Sequence, residues 1–338
     1  MNIRFFTILF CACTLTACTQ EETLTTTDDD ALSAVIPTAG LVDAISVDTR
    51  ALSGPVTSFP TNTDEVFAVT AYKSASAPDA TSGFDFGSGV YFENLAVNSG
   101  NSGIFSLASP QYYPIDREGL YFYAYGPVAT AATTAGADGY AAGNGTTHPT
   151  VTWTIDGSQD IMYANVTTGI RKKSTEGEVQ EQPDFTFAHL LKRIRFKLIK
   201  GPGFGDKLNA TSISLTRCRT QATLDLISGE LTFAGEETSL SLTGTFPINP
   251  ETSANELSSN LLCQSGETLY LSVDVDNGQT YEKVIDLNDA ENSDEQITPG
   301  GAGVNYLVTL TFLGTAVLPQ VTIAEAWEYG GEASQTIQ

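Results

Sequence analysis

Only two histidines, His148 and His189, are available to move a proton, and the nucleophiles and carboxylates around them fall into no catalytic spacing. There is no Ser-His-Asp set, zinc-ligand spacing, phosphate-cradling glycine loop or dinucleotide fingerprint. With 40 Asp and Glu residues a glycosidase-like carboxylate pair stays open on numbers alone, but no segment singles one out. His189, between Phe187 and Leu191, reads as a structural group that caps or hydrogen-bonds a strand end. The acidic stretch Asp286 to Glu295 lacks the Asp-x-Asp-x-Asp-Gly spacing of a calcium loop and reads as solvated. No enzyme activity, cofactor or metal is expected. Cys11, Cys13 and Cys18 lie at the N-terminus, which leaves Cys218 and Cys263. These two could form a disulfide in an oxidising compartment. Cys218 is out of phase with Ile213 and Leu215, so a bulge or an outward sulfur is required.

Chemistry done to the chain is easier to read than chemistry done by it. Met1 to Ala17 carries Arg4, an apolar run from Phe5 to Phe10 and on to Leu15, then small residues before Cys18, which is an export signal. Leu15-Thr16-Ala17-Cys18 resembles a bacterial lipoprotein box, which implies cleavage before Cys18 and acylation of its sulfur and amine. The alternative is an ordinary secretory signal with an incidental cysteine. Residues 19–40, with Thr25-Thr26-Thr27-Asp28-Asp29-Asp30, read as a solvated tether. Residues 41–49 form a short strand candidate with Leu41, Ile45 and Val47 on one face, bounded upstream by Pro37 and Gly40. Arg50 is the only basic residue between Arg4 and Lys73. The bond from Arg50 to Ala51 is where a trypsin-like protease would cut, while the plainer reading, favoured on the residues alone, is a surface arginine with no role.

The rest of the chain has to be mostly β. Thr, Ser and Gly are abundant and apolar residues alternate. Phe67 and Val69 share a face in Val66 to Tyr72, and Leu120 to Tyr125 closes an aromatic band that begins at Phe105. That band reads as sandwich core or as a sugar-stacking platform. Residues 126–149, rich in Ala, Gly and Thr, read as mobile decoration or, alternatively, as a functional contact loop. Arg171-Lys172-Lys173 to Pro183 reads as an interdomain boundary. Beyond it Ile194, Phe196 and Leu198 oppose Arg193, Arg195 and Lys197, a strand with a cationic outer stripe that pairs with the chain's own carboxylates or docks an acidic surface. Asn277-Gly278 marks a hairpin, and Val304 to Phe312 and Val321 to Trp327 alternate as the last strands. The formal charge of −24 repels phosphate backbones, so nucleic acid is not an expected partner. No later apolar run spans a bilayer, so membrane attachment would be through the lipid alone.

The order of these blocks resembles the fimbrillin family of Bacteroidales, the pilins of type V pili, in its minor-fimbria-like branch. The matching pieces are the lipoprotein leader, Thr49-Arg50-Ala51, Phe67 to Tyr72, Tyr112-Tyr113-Pro114 with Leu120 to Tyr125, Gln159 to Ala164, Phe187-Ala188-His189 with the cationic strand, and the strand ending at Trp327. The resemblance implies an all-β protein of two tandem transthyretin-like β-sandwiches: a signal at 1–17, a lipidated leader at 18–50, an N-terminal sandwich at 51–183 and a C-terminal one at 184–338. It further implies an outer-membrane lipoprotein precursor that an arginine-specific protease cuts after Arg50. Removal of the plug strand near Ile45 and Val47 then leaves a groove that a strand from another pilin subunit fills. Val321, Ile323 and Trp327 are the donor-strand candidates, although the polar tail Glu328 to Gln338 leaves open whether that strand is donated, folded back or part of the sandwich. The competing reading is a surface lipoprotein that binds a glycan or other host or bacterial surface ligand without polymerising.

Overall fold

The computed structural model describes residues 32–41, 58–100, 104–134, 136–175, 178–289, 301–314 and 316–326. Over these the protein is all-β. The strands are β1 (Thr38–Leu41), β2 (Thr63–Ser74), β3 (Val90–Ser99), β4 (Phe105–Leu107), β5 (Gly119–Gly126), β6 (Gly139–Ala141), β7 (Thr150–Thr154), β8 (Met162–Ile170) and β9 (Asp184–His189). They continue as β10 (Lys192–Lys200), β11 (Asn209–Asp225), β12 (Leu231–Pro247), β13 (Asn249–Pro250), β14 (Glu256–Cys263), β15 (Thr268–Val275), β16 (Thr280–Asp286), β17 (Val304–Leu313) and β18 (Ala316–Ala326). Among the described residues they make three sheets: β1-β9-β8-β5-β2-β3-β4, β13-β10-β17-β18 with β14 also on β10, and β16-β15-β11-β7-β6 with β12 also on β11.

The first sheet has two buried faces because its central strands carry large apolar residues at every position. Leu120, Phe122 and Ala124 of β5 enter one core, and Tyr121, Tyr123 and Tyr125 enter the other. Alternation of side chains across a strand makes this split automatic once β5 lies between β2 and β8. The first core is closed by curling of the sheet. Phe67 of β2 lies 5.4 Å from Phe105 of β4, near one edge, and 5.0 Å from Phe187 of β9, near the other. Phe59 bridges Phe105 and Phe187 at 5.6 and 5.3 Å. Rings from both margins of the sheet therefore meet over Phe67, in the tilted and edge-to-face geometries that aromatic quadrupoles favour.

The second core lies between the other two sheets. Phe196, Leu198, Tyr306 and Val308 come from one and Ile213, Leu215, Leu271 and Val273 from the other. It continues onto the tyrosine face of the first sheet through Tyr140 and Trp153, the latter 5.8 Å from Tyr125. The Asn277-Gly278 hairpin forms between β15 and β16, with Gly278 at φ 83° as the turn requires.

Position 183/184 does not coincide with a change of sheet. β9, which follows it, joins the first sheet, while β6 and β7, which precede it, join β11. The pairings of β9 with β1 and of β7 with β11 join residues far apart in sequence, whereas the charged, Pro-terminated stretch at 171–183 is a feature of local composition. Residues 126–149 are not the mobile decoration expected from their composition. The Tyr140 N–H donates to Thr130 O and the Ala132 N–H to Tyr140 O, both at 2.8 Å, and Tyr140 is 4% exposed. One buried aromatic and the pairing of β6 with β7 are enough to order the segment. The aromatic band is core: Phe105, Tyr113, Tyr121, Phe122, Tyr123 and Tyr125 are buried, and Tyr112 alone of the group is exposed. Within the cationic stripe of β10, Arg195 pairs with one of the chain's own acids, its Nη1 2.8 Å from Glu256 Oε1.

Candidate functional site

The curled first sheet leaves a seam between β9 and the chain that follows β4, and leader residues lie in it. On one side the Val35 N–H donates to Gln111 O at 2.9 Å and the Tyr113 N–H to Ser33 O at 2.8 Å, around an antiparallel bridge of Ala34 with Tyr112. On the other side β1 pairs parallel to β9, Thr38 opposite Asp184 through Leu41 opposite Phe187, and the Thr38 N–H donates to Pro183 O at 2.9 Å. Gln182 clamps the middle of the leader. Its Oε1 accepts the Ile36 N–H at 2.7 Å and its Nε2 donates to Ala34 O at 3.2 Å. The Thr38 hydroxyl donates to Asp184 Oδ1 at 2.7 Å.

The side chains follow the period of a strand. Val35 and Pro37 are buried and Ala39 is half-buried, while Ile36, Thr38 and Gly40 face outward. Val35 and Ala39 join the core that holds Tyr113, Phe185 and Phe187. Pro37 has no N–H to satisfy, and its neighbours Ile36 and Thr38 both find acceptors, so a proline is tolerated in this short pairing segment. The Tyr113 hydroxyl donates to Glu181 O at 3.0 Å. Burial, reinforced by the Glu181 charge, keeps that phenol protonated far above its ordinary range, so it remains a donor throughout physiological pH. A seam lined by two sets of backbone donors and acceptors, over an apolar floor, can bind one extended peptide by main-chain pairing and side-chain burial.

Of the residues singled out from sequence, Leu41 closes β1. Cys18, Ile45, Val47, Arg50, Ala51 and Trp327 lie outside the described residues. The described leader pairing runs over 33–41, ending where the sequence-based strand begins. Val321 and Ile323 are buried in β18, which is hairpin-paired with β17 in this chain. Cys218 and Cys263 are free, buried thiols rather than a disulfide. The bulge that their phase demanded is present, as a register shift between Leu215 and Cys218, and the Cys218 thiol donates back to Leu215 O at 3.4 Å. His189 ends β9 with Nδ1 3.1 Å from Asp160 Oδ1, both side chains fully buried. His148 Nδ1 lies 2.7 Å from Asp225 Oδ2. Sequence reasoning missed Val35, Pro37, Gln111–Tyr113 and Gln182. The available signal was the alternation Val35, Pro37, Ala39, Leu41, obscured because Pro37 and Gly40 look like strand breakers. Among the described residues no group of three or more metal-ligating side chains occurs, and no helix is long and apolar enough to cross a membrane.

Residues 49–327 match the model of the fimbrillin-like family. The chain belongs to the fimbrillin-like family. That family is structural rather than catalytic, acts at the cell surface and has other pilin subunits as partners. No curated protein matches the chain. Its fold is similar to that of several solved structures. A candidate cell adhesion protein from Bacteroides uniformis is 20% identical, with a TM-score of 0.55 over 88% of this chain and 99% of that one. A fimbrial protein from Bacteroides vulgatus is 15% identical, with a TM-score of 0.54 over 87% and 99%. A candidate cell adhesion protein from Bacteroides ovatus is 17% identical, with a TM-score of 0.52 over 89% and 99%. At these identities the likeness is one of fold, and it extends over both cores of this fimbrillin-like chain.

Proposed function

We propose that this protein is a fimbrial subunit serving cell adhesion, made as an outer-membrane lipoprotein anchored through Cys18 and assembled by strand exchange after cleavage at Arg50. The observation that carries this reading is the leader in the seam. Residues 33–41 pair with backbone on both sides and cover Phe185 and Phe187, yet they are joined to the rest of the protein only through the segment that contains Arg50. A cut there frees the leader covalently, together with the lipid. It leaves the Tyr113 N–H, the edge of β9 and the floor of the first core to a strand from a second subunit. The family match begins at residue 49, next to the proposed cut, so the displaced segment lies almost wholly outside the region common to the family. Val321, Ile323 and Trp327 remain the donor candidates. Donation requires β18 to leave β17, which would expose Tyr306 and Val308 in turn unless an incoming strand replaced it.

Treatment of the unlipidated precursor with an arginine-specific protease tests the scheme. The expected result is one early cut after Arg50, loss of residues 33–41 from the folded body, and a ladder of oligomers. In Arg50→Ala neither the cut nor the ladder should appear. Cleavage after Arg50 that leaves a stable monomer, with the leader gone and no oligomer at high concentration, would rule out strand exchange.

A further inference from the structure

The leader and the last described strand share one pattern. Ala34-Val35-Ile36-Pro37-Thr38-Ala39-Gly40-Leu41 aligns without a gap on Ala316-Val317-Leu318-Pro319-Gln320-Val321-Thr322-Ile323 of β18. Alanine, valine and proline coincide at the first, second and fourth places, and both segments carry Leu or Ile at the third and eighth. They lie in different sheets, the leader on β9 and β18 on β17, yet they face the same way. Val35 and Val317 are buried, while Ile36 and Leu318 turn outward at 46% and 53% exposure. Pro37 is buried and Pro319 half-buried, Thr38 and Gln320 are exposed, and Ala39 is half-buried where Val321 is buried. A proline is tolerated in each, since β18 ends the path of its sheet and the leader is a short pairing segment.

The differences between the two segments favour β18 in the seam. Val321 would bring a larger apolar side chain to the inward place that Ala39 occupies. Thr322 would replace Gly40, where an added Cβ meets nothing within 4 Å, and threonine has less backbone freedom to lose than glycine. Gln320 brings an amide donor to the place from which the Thr38 hydroxyl bonds Asp184. The prolines fix the register. Pro37 sits between two residues whose N–H groups are both used, Ile36 on Gln182 and Thr38 on Pro183. A slip of one residue would put Pro319 on one of those positions, lose its hydrogen bond and turn the apolar side chains outward. We infer that the leader is an internal copy of β18, and that the seam accepts residues 316–323 of a second copy of this chain, with Val317 in the place of Val35 and Pro319 in that of Pro37. This rests on the strand-exchange reading above and adds to it the partner segment, its register and the direction of exchange. The leader is the weaker version of the strand and yields to the stronger one.

Amide exchange on the full, uncleaved and unlipidated chain tests the fit, so the outcome does not depend on a cut at Arg50 or on assembly. Ile36→Leu/Thr38→Gln/Ala39→Val/Gly40→Thr/Leu41→Ile writes the β18 residues into the leader. Exchange at the Val35 and Tyr113 amides should slow about tenfold, from the larger inward side chain and the loss of a glycine, while the Phe122 amide of β5 is unchanged. Ile36→Pro/Pro37→Gln, which places β18 residues one position out of register, should instead speed exchange at both sites. The partner is tested in the Val35→Asp chain, where the leader's hold is weakened. A peptide of residues 316–325 should restore protection of the Tyr113 amide, and the same peptide with Val317→Asp should not. Exchange that fails to slow in the full swap overturns the proposal, as does protection kept by the out-of-register variant. So does a peptide of residues 33–41 that protects Tyr113 where the 316–325 peptide does not. Oligomers formed after cleavage by a chain that fails these tests would leave the fimbrial reading standing and remove β18 as its strand.

Discussion

Replacing Val35 by aspartate distinguishes a leader held in balance by the seam from one that is an integral strand of the fold. The leader makes six hydrogen bonds across the seam: Val35 to Gln111, Tyr113 to Ser33, Thr38 to Pro183, Ile36 and Ala34 to Gln182, and Thr38 to Asp184. At about 1 kcal/mol net each they contribute roughly 6 kcal/mol. Burial of Val35 and Pro37 adds roughly 4 kcal/mol, and the rest of the β1–β9 ladder about 2 kcal/mol. Ordering residues 33–41 costs about 1 to 1.5 kcal/mol each, or roughly 9 to 13 kcal/mol. The docked leader is thus within a few kcal/mol of release. Val35 is 6% exposed, and aspartate there forfeits about 2 kcal/mol of apolar burial and adds about 2 to 3 kcal/mol for a desolvated carboxylate. A change of 4 to 5 kcal/mol corresponds to about a thousandfold shift toward the undocked state. In native-state hydrogen exchange the Tyr113 and Thr38 amides should approach free exchange, while the Phe122 amide in β5 keeps its protection. If Tyr113 stays protected, the seam does not depend on Val35. If Phe122 loses protection in parallel, the leader is part of the cooperative fold and is not exchangeable.

Phe67→Ala removes the ring that sits 5.0 to 6.0 Å from Phe59, Phe105, Phe185 and Phe187, and should lower stability by about 3 to 5 kcal/mol in urea unfolding. A loss below about 1 kcal/mol would mean that the curled sheet does not close over Phe67. Lys192 is 2% exposed, with its amine donating to Gly266 O at 2.7 Å, and burial draws its pKa below the ordinary 10.5, opposed more weakly by Cys263 and Cys218. Between that lowered value and 10.5 the unfolded chain binds more protons than the folded one, so this lysine makes stability rise with pH. Lys192→Met should reduce the rise of stability with pH on the alkaline side up to 10.5, and be no less stable at pH 7; equal slopes in the two proteins would refute the assignment. Burial also raises the Cys263 thiol and pushes Cys218 up to about 12. Iodoacetamide should therefore leave both unmodified in the native protein and alkylate both after denaturation; peptide mapping that finds either one labelled natively, or a Cys218–Cys263 crosslink, would contradict the free buried thiols.

What could be read without coordinates follows the range of the interactions. The period-two patterns of Ile194 to Leu198 and Val304 to Phe312 mark strands with the right inward faces, because side-chain alternation is a property of the strand itself. The turn at Asn277-Gly278 is equally local. The full lengths of β11 and β12 are not marked by the sequence pattern. β12 is largely exposed along its 17 residues, and β11 carries register shifts that break the alternation. The order of motifs carried the family, which the match over residues 49–327 bears out.

Long-range pairing was not legible, and the candidate site is made of it. Nothing in Ser33 to Pro37 announces that Gln111 and Gln182 will flank it, because those partners are about 75 and 146 residues away and are brought together by the curling of one sheet. The same holds for β7, which finds β11, and for Tyr140, which orders a segment whose composition suggests none. Composition, strand periodicity and motif order mark an acidic, all-β chain of the fimbrillin-like family, since each can be read along the chain without its long-range contacts. The closure of the first sheet over Phe67, the seam it leaves, and the leader that fills that seam exist only once both margins of the sheet have met. Their stability comes from contacts between residues that the linear order keeps apart.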